Sequence, residues 1–483
     1  MLSAVSFVLD GKIVSIDFDS SLNPTTTVLN FLRQLPTHKG VKEGCAEGDC
    51  GACTVVLGDV ADNGSMRYRS VDSCLLFLPM IHGKHLITVE NLKAPEEDLH
   101  PVQDAMVESN GSQCGYCTPG IVMAMFALYK TRNHPSRAEI DDALTGNLCR
   151  CTGYKPIVEA ASNSCVANGV DHFTGREPQV VQMLKSIPQH SLHLKTESQH
   201  YFRPVTLQEA LSLKHQHPEA VVLCGATDVA LRVTKKHEVL KEVIDLSGIE
   251  ELRQATEQGD SLTLGAALPL SDVMMKVKAD FPALHDMLAV FGSQQIRNLA
   301  TLGGNLGTAS PIGDTLPVMM VYNARVVLES VGGKRELPIG DFFTGYRQTE
   351  RRADELITAV IVPKVPQGTT VKAYKISKRK DLDISTLSGA FRLQLNRNSY
   401  VQTIRVVYGG MADRVKRARA TEQSIIGKKW DRETIEKAKS VLDTEFTPIS
   451  DARSGAEFRR VAARNLLMKL WSETSQRENG GVD

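Results

Sequence analysis

The chain has 483 residues, of which 42% are hydrophobic and 23% are charged. This composition is typical of a soluble globular protein, and at about 150 residues per domain the length predicts three or four domains. It excludes a single small binding module and a disordered or fibrous chain. Lysine plus arginine and aspartate plus glutamate are equal at 56 each, so the net charge favours neither nucleic acid nor an anionic membrane as a partner.

The N-terminal residues do not have the pattern of a secretory signal peptide. Asp10 and Lys12 interrupt the apolar residues before a continuous apolar core can form. The longest apolar run, residues 121–129, is far shorter than the roughly 20 residues that span a bilayer. We therefore expect a cytoplasmic protein, in which densely spaced cysteines are metal ligands more often than disulfides.

The first predicted elements form two small domains. Residues 3–18 alternate apolar and polar side chains around an Asp-Gly-Lys turn, which predicts a hairpin. A helix is predicted at about 27–35 and a further pair of strands after it, which makes 1–82 a β-rich domain with one helix. Apolar residues at three- and four-residue spacing then predict a helical bundle over 83–165.

The rest of the chain predicts a linker and two α+β domains. Residues 166–196 are polar and irregular, with one short helical segment at 180–187, and are predicted to be a linker. Helices and strands alternate over 197–370, and strands followed by long helices predict a last domain over 371–478. The predicted fold class is therefore α+β multidomain.

Eight of the ten cysteines fall before residue 152, in two groups. The first group is Cys45, Cys50, Cys53 and Cys74. Its C-x4-C-x2-C loop with a distant fourth cysteine has the spacing of plant-type [2Fe–2S] ferredoxins. Gly44, Gly48 and Gly51 let the loop bring its N–H groups close to the sulfurs. A zinc site is the alternative, but zinc loops use paired cysteines and this loop carries three.

The second group is Cys114, Cys117, Cys149 and Cys151. Each pair lies at the start or end of a predicted helix, so two helix ends would present four sulfurs to one centre. A C-x-C pair is uncommon in zinc sites, and the spacing favours a second [2Fe–2S] cluster. A zinc site and a thioredoxin-like redox pair of Cys114 and Cys117 are the alternatives. The two remaining cysteines, Cys165 and Cys224, are expected to be structural.

Three motifs, GCAEGDCGACTVV, QCGYCTPG and NLCRCTGY, together resemble the iron–sulfur portion of the molybdenum hydroxylases. The resemblance implies a β-grasp plant-type ferredoxin domain followed by a helical-bundle [2Fe–2S] domain. Many members of the family carry glycine where this chain has Ala46 and Asp49, but the cysteines that would bind iron are unchanged. In the family, the cluster held by the second group is the one nearer the molybdenum.

Two glycine-rich turns, at 224–231 and 301–318, could cradle a pyrophosphate, with a plain tight turn as the alternative reading. Neither has the G-x-G-x-x-G pattern of a Rossmann site. The segments VVLCGATDV, FGSQQIRNLATLGGN, SPIGD and KRKDLDIS are similar to the flavin portion of the molybdenum hydroxylases. This implies an α+β FAD-binding domain of the vanillyl-alcohol-oxidase type, followed by a C-terminal α+β flavoprotein domain. The implied FAD contacts are Val222, Leu223, Cys224, Gly225, Ala226, Thr227, Asp228, Val229, Phe291, Thr301, Leu302, Gly303, Gly304, Asn305, Asp314, Ile357 and Lys375.

The resemblance also implies what these residues do. The glycine loops would hold the phosphates, and Asp314 would be a polar contact to the cofactor. Phe291 would stack on an aromatic ring, and Lys375 would neutralise charge near the flavin. The loop 376–386 would lie beside the isoalloxazine and help decide whether NAD+ or dioxygen takes the electrons.

The order of the domains resembles most closely the small subunit of bacterial two-subunit xanthine dehydrogenases. This implies a larger molybdopterin-binding partner, a dimer of heterodimers, and no catalytic residue on this chain for the molybdenum chemistry. Electrons from purine hydroxylation on the partner would pass through two [2Fe–2S] clusters to FAD and then to NAD+. A subunit of another molybdenum hydroxylase, for aldehydes or another N-heterocycle, is the alternative, and a zinc-stabilised interaction protein is a remote one.

Overall fold

A computed structural model of the chain describes residues 3–19, 22–93, 99–165 and 170–475. It divides into two compact units. The first runs to Glu250 and includes Gly292–Ala300, and the second comprises Glu251–Phe291 and the chain from Thr301 onward. Among the helices of these described ranges, none combines the length and apolar character that a bilayer crossing requires.

The first unit opens with a five-stranded sheet and one helix. The elements are β1 (Ala4–Leu9), β2 (Lys12–Asp17), α1 (Val28–Gln34), β3 (Thr54–Val60), β4 (Met66–Asp72) and β5 (His85–Ile87). The sheet order is β2-β1-β5-β3-β4, in which β1 and β5 run parallel. The antiparallel pairing of β1 with β2 confirms the predicted hairpin. Thr27 caps α1 by accepting a hydrogen bond from the Asn30 N–H, which fixes the start of this helix.

A helical bundle follows the sheet. Its helices are α2 (Pro101–Glu108), α3 (Thr118–Thr131), α4 (Arg137–Leu144) and α5 (Lys155–Ser164). Every residue of α3 from Gly120 to Tyr129 is buried, because this apolar helix is the core around which the others pack. Ser136 and Glu139 form a capping box that starts α4.

The segment predicted as a linker contains a helix that is longer than expected. Helix α6 spans His172–Ser186, whereas the sequence predicts only a short helical segment at 180–187. Residues 166–169 of the predicted linker lie outside the described ranges. Asp171 caps α6 by accepting the Thr174 N–H at 2.8 Å, and it also bonds His100 Nε2 at 3.0 Å. Gly175 and Pro178 lie inside the helix and obscure its periodicity, so the prediction of an irregular linker was wrong here.

A second sheet completes the first unit. Its elements are β6 (Leu192–Lys195), β7 (His200–Arg203), α7 (Leu207–Gln216), β8 (Val221–Leu223), α8 (Ala230–Thr234) and β9 (Glu242–Asp245). The order is β6-β7-β9-β8, with β7 and β8 both parallel to β9. A helix from later in the chain, which lies within 292–300, belongs to this unit. The division between the units falls inside the segment predicted as one FAD-binding domain, and the predicted domain boundaries stay predictions.

The second unit contains a five-stranded antiparallel sheet. Its strands are β10 (Ala255–Gln258), β11 (Ser261–Gly265), β12 (Arg325–Ser330), β13 (Gly333–Pro338) and β16 (Leu356–Pro363), and a small hairpin is formed by β14 (Phe343–Gly345) and β15 (Gln348–Thr349). The sheet order is β10-β11-β16-β12-β13. The helices, numbered along the chain, are α9 (Leu270–Val277), α10 (Pro282–Ala289), α11 (Gln294–Leu299, in the first unit), α12 (Leu302–Thr308), α13 (Thr315–Val321) and α14 (Ile339–Phe342).

The last part of the second unit is a four-stranded sheet with helices. Its elements are β17 (Thr369–Ile376), β18 (Leu387–Leu395), β19 (Val401–Gly409), β20 (Lys416–Arg417), α15 (Arg419–Ile425), α16 (Arg432–Glu445) and α17 (Ala456–Ser475). The strands lie in sequence order, and the core between sheet and helices includes Phe391, Tyr408 and Leu467. The strands and long helices predicted from the sequence are therefore present in this order.

Candidate functional site

The first pair of sulfurs lies on the loop between α1 and β3. The Cys45 N–H donates to the Cys50 sulfur at 3.4 Å. The Cys45 sulfur accepts two further N–H bonds, from Glu47 at 3.4 Å and from Asp49 at 3.2 Å. The Cys50 thiol and these N–H bonds lower the pKa of Cys45 to about 5. This lowering favours the thiolate, which is the form that binds metal.

Glycines give this loop its path around the sulfurs. A Cβ at Gly44 would lie 2.7 Å from the Cys50 sulfur. Gly48 and Gly51 have φ values of +77° and +67°, which other residues adopt at a cost. Glycine at these positions therefore lets the loop bend back on its own thiols with little strain.

Cys53 and Cys74 form the other half of the first group. Cys53 directly precedes β3 and Cys74 follows β4, and they are only 2% and 1% exposed. Their thiols are hydrogen-bonded to each other, and the Cys53 thiol also donates to Asp72 Oδ1 at 3.7 Å. Burial raises the pKa of the Asp72 carboxyl to about 8. This half of the group is thus shielded from water, and sequence reasoning did not anticipate Asp72 beside it.

The second group also divides into two pairs. Cys117, at the start of α3, is hydrogen-bonded to Cys149, and Cys114 is hydrogen-bonded to Cys151 in the turn before α5. Cys149 is buried, whereas Cys114 and Cys151 are exposed. Burial raises the pKa of Cys117 to about 12. Burial also acts to raise the pKa of Cys149, but hydrogen bonds from Thr152 and from backbone N–H groups lower it overall.

Both groups have the donor set that a [2Fe–2S] cluster requires. Such a cluster takes two thiolates on each of its two irons, and the sulfurs of each group lie as two neighbouring pairs. Backbone N–H groups that point at the sulfurs are the usual outer contacts of such clusters. Within the described ranges, no set of three or more His, Cys, Asp or Glu side chains converges closely enough to hold one metal ion. The arrangement of the sulfurs as two neighbouring pairs fits a cluster in each group.

One of the two glycine-rich turns assigned to FAD from the sequence lies in the first unit. Residues 222–229 run from the end of β8 into the turn before α8. A Cβ at Gly225 would lie 1.7 Å from the Leu299 carbonyl oxygen, so only glycine fits there. Ala226 has a positive φ of 57°, and Cys224 is half-buried. The turn is therefore held in one tight conformation against α11.

The second unit contributes the other glycine-rich turn. The Thr301 hydroxyl accepts the Gly304 N–H at 3.1 Å and caps α12. A Cβ at Gly303 would lie 2.6 Å from the Ala266 side chain, so the helix packs tightly against the chain after β11. Gly304 is exposed, and its lack of a side chain leaves the backbone accessible. Ile357 on β16 is 8% exposed.

Asp314 and Lys375 form a buried ion pair in the same unit. Asp314 Oδ2 and Lys375 Nζ are 2.9 Å apart, and their side chains are 7% and 5% exposed. Asp314 also accepts a hydrogen bond from the Ser385 hydroxyl at 2.5 Å, and Lys375 donates to the Val290 carbonyl at 2.9 Å. The charge of Lys375 is thus balanced within the unit. Val290, whose carbonyl accepts the bond from Lys375, directly precedes Phe291 in the chain. Sequence reasoning missed Ser385, although the loop 376–386 that carries it was singled out.

Models of protein families match three parts of the chain. Residues 88–162 match a [2Fe–2S] binding domain, and residues 194–365 match the FAD binding domain in molybdopterin dehydrogenase. Residues 372–474 match the CO dehydrogenase flavoprotein C-terminal domain. Together with the two cysteine groups, these matches define an iron–sulfur flavoprotein.

Curated relatives extend the match over nearly the whole chain. The chain is 33% identical to the xanthine dehydrogenase of Drosophila pseudoobscura pseudoobscura, over 98% of this chain and 39% of the relative. It is also 33% identical to the xanthine dehydrogenase of Emericella nidulans, over 97% of this chain and 38% of the relative. The chain thus spans about two fifths of the length of these curated relatives.

Solved structures of similar fold cover more than half of the chain. A carbon monoxide dehydrogenase from Hydrogenophaga pseudoflava has a TM-score of 0.53 at 25% identity, covering 56% of this chain and 94% of that chain. Quinoline 2-oxidoreductase from Pseudomonas putida 86 has a TM-score of 0.54 at 23% identity, covering 59% of this chain and 99% of that chain, and shows the fold alone. The chain belongs to the molybdenum hydroxylases and corresponds to their iron–sulfur and FAD portion.

Proposed function

We propose that this chain is the iron–sulfur and FAD subunit of a xanthine dehydrogenase. In this function it passes electrons from purine hydroxylation at a molybdenum centre on a larger partner to NAD+. When bound, two [2Fe–2S] clusters and FAD supply one-electron carriers and an adaptor between one-electron and two-electron steps. One observation carries the proposal. Eight cysteine sulfurs lie in one compact unit as two groups, and each group consists of two neighbouring pairs.

The residues of this chain would hold and insulate these groups. In the first group, Cys45 receives two backbone N–H bonds, which would stabilise negative charge on the sulfur and raise the potential of a cluster held there. The buried Cys53 and Cys74 pair would exclude water from the same centre. In the second group, the exposed Cys114 and Cys151 leave one side of the centre open, which would let a partner approach it closely.

The flavin would be held by the segments already assigned to it. Gly225 keeps the turn at 222–229 tight in the first unit, and Gly303 keeps the turn at 301–305 tight in the second. Gly304 leaves the backbone of the second turn accessible. The buried Lys375 and Asp314 pair would fix the backbone near Phe291 and the loop 376–386. These residues orient the cofactor and leave the purine chemistry to the partner.

Purification with chemical analysis tests the proposal. The full chain, isolated from its native host with everything that co-elutes, should contain the iron of two [2Fe–2S] clusters, one FAD, and a larger molybdopterin-bearing companion. The complex should oxidise hypoxanthine and xanthine with NAD+ as acceptor, while the chain alone should not oxidise purines. A colourless protein that contains zinc instead of iron would overturn the proposal and support the interaction-protein alternative.

A second candidate is the same subunit of another molybdenum hydroxylase. The likeness to a carbon monoxide dehydrogenase favours it. Substrate choice would reside on the partner, so this subunit would look similar in either enzyme. Assays of the purified complex with hypoxanthine, aldehydes and quinoline, each with NAD+ and with dioxygen, separate these candidates.

The assembly and location are part of the same proposal. The proposed assembly is a dimer of heterodimers with the larger partner, and the proposed location is the cytoplasm. The mass of the native complex in solution, measured by light scattering, tests the stoichiometry. Fractionation of the host cells tests the location.

A further inference from the structure

The loops that carry the two cysteine groups touch each other directly. The Leu148 N–H donates to the Cys50 carbonyl oxygen at 3.0 Å. Cys50 belongs to the first group, and Leu148 directly precedes Cys149 of the second group. The path from the Cys50 sulfur to the Cys149 sulfur therefore consists of covalent bonds and this one hydrogen bond.

The side chain of Asn147 holds the two loops at this point. Its Nδ2 donates to the Gly51 carbonyl at 3.0 Å and to the Thr54 hydroxyl at 3.2 Å. Its Oδ1 accepts a hydrogen bond from Gln295 Nε2 at 2.8 Å. Asn147 is 3% exposed and Gln295 is fully buried. A buried amide with its donors and its acceptor satisfied fixes its neighbours in one geometry, because losing any of these bonds leaves a buried polar group unpaired.

Glycines allow the loops to come this close. A Cβ at Gly51 would lie 2.3 Å from the Gly146 carbonyl oxygen and 2.5 Å from Asn147 Nδ2. A Cβ at Gly120 would lie 2.1 Å from the Gly51 carbonyl oxygen. The contact between the two cysteine loops is therefore formed by glycines around the Asn147 side-chain amide. The absence of side chains at these glycines lets the two backbones lie against each other.

Electron transfer rates depend steeply on such contacts. Electronic coupling falls off rapidly across a van der Waals gap and less rapidly along covalent and hydrogen bonds. We propose that Asn147 is a positioning residue that holds the Cys50–Leu148 hydrogen bond, the contact through which electrons pass between the two clusters. This inference rests on the proposed function, which supplies a cluster in each group.

Electron paramagnetic resonance of the full chain tests the role of Asn147. In the dithionite-reduced wild type, both clusters are paramagnetic and close, so their signals should show mutual magnetic splitting at low temperature. Asn147→Ala should keep the iron content and the separate signals of both clusters but lose much of the splitting, because the loops separate. Gln295→Leu removes only the support of the Asn147 amide and should reduce the splitting less. If Asn147→Ala does not assemble its clusters, the splitting measured in Gln295→Leu decides whether the Asn147 amide has a positioning role.

A matched control separates positioning from general stability. Asn298 lies on α11, the helix that carries Gln295, and its amide donates to the Ser70 carbonyl at 2.9 Å instead of to Asn147. Asn298→Ala should therefore leave the splitting unchanged. Wild-type splitting in both Asn147→Ala and Gln295→Leu would overturn the positioning role and leave the proposed function intact. A wild type that lacks one cluster signal would instead overturn the proposed function.

Discussion

Asp314 and Lys375 pair at 2.9 Å with side chains that are 7% and 5% exposed, although 60 residues of chain and several elements separate them. Each partner makes a further bond, Asp314 with Ser385 and Lys375 with the Val290 carbonyl. Both residues were assigned to the flavin from the sequence, and the structure shows that they also join β17 to the start of α13 and to the end of α10. Holding these three elements together is a stability role that can be measured without the cofactor.

Lys375→Met should destabilise the second unit strongly. Removing one partner of a buried pair leaves the other charge uncompensated, which costs about 3–5 kcal/mol. Lys372→Met is the matched control on the same strand, because Lys372 forms a half-exposed pair with Glu473 at 3.4 Å, and such pairs contribute about 0–1 kcal/mol. Urea denaturation followed by circular dichroism compares the two. Equal losses of stability would show that the buried pair has no special role.

Gly225→Ala should lower the flavin content of the purified protein. The added Cβ would lie 1.7 Å from the Leu299 carbonyl oxygen, so the turn at 222–229 must shift. Iron content should stay at the wild-type level, because the nearest atoms to the added Cβ belong to Leu299 and Ala300 and to no cysteine. Gly175→Ala is the control, since nothing lies within 4 Å of its Cβ. In a helix this change favours folding by up to about 1 kcal/mol. Full flavin occupancy in Gly225→Ala would contradict the proposed role of the turn.

Local patterns in the sequence predicted the elements that local interactions determine. The N-terminal hairpin follows from alternation and a turn, and β1 pairs with β2 as expected. Helix α6 was missed because its cap, Asp171, is held by His100, which is 71 residues away. No window of the local sequence contains that contact, and Gly175 and Pro178 weaken the helical pattern within it.

The candidate site shows the same limit. Spacing identified the two cysteine groups, but it did not show that Cys53 faces Cys74 or that Cys117 faces Cys149. Those pairs form because strands and helices from distant parts of the chain pack together. The Leu148 contact to Cys50 likewise depends on tertiary packing, so no local pattern of residues predicts it.

Cys149→Ser should remove one cluster and leave the other. The iron content should fall by about half, because a [2Fe–2S] cluster requires four protein ligands. Purine should no longer reduce the flavin in the complex, whereas NADH should still reduce it. Cys165→Ser is the control, since Cys165 is buried at 2% exposure and lies in neither group. Unimpaired transfer from purine to flavin in Cys149→Ser would contradict the proposed route.

The buried imidazole of His85 should lower the free energy of unfolding of the first unit as the pH falls from neutral to about 4. Burial lowers the pKa of His85 from 6.5 to about 4, and its Nδ1 has no hydrogen-bond partner. As the pH falls below 6.5, the unfolded chain takes up a proton on this residue and the folded chain does not until about pH 4. Protonation therefore favours unfolding within this window, at a cost of about 3 kcal/mol.

Removing the imidazole should therefore flatten the pH dependence. His85→Leu keeps an apolar side chain in the buried position and has no proton to bind, so its urea midpoint should fall less than that of the wild type between neutral pH and about pH 4. His190→Leu changes an exposed histidine and should follow the wild type. Both variants are compared at the same ionic strength, by circular dichroism at a series of pH values. Parallel curves for His85→Leu and the wild type would show that this histidine does not control the acid sensitivity.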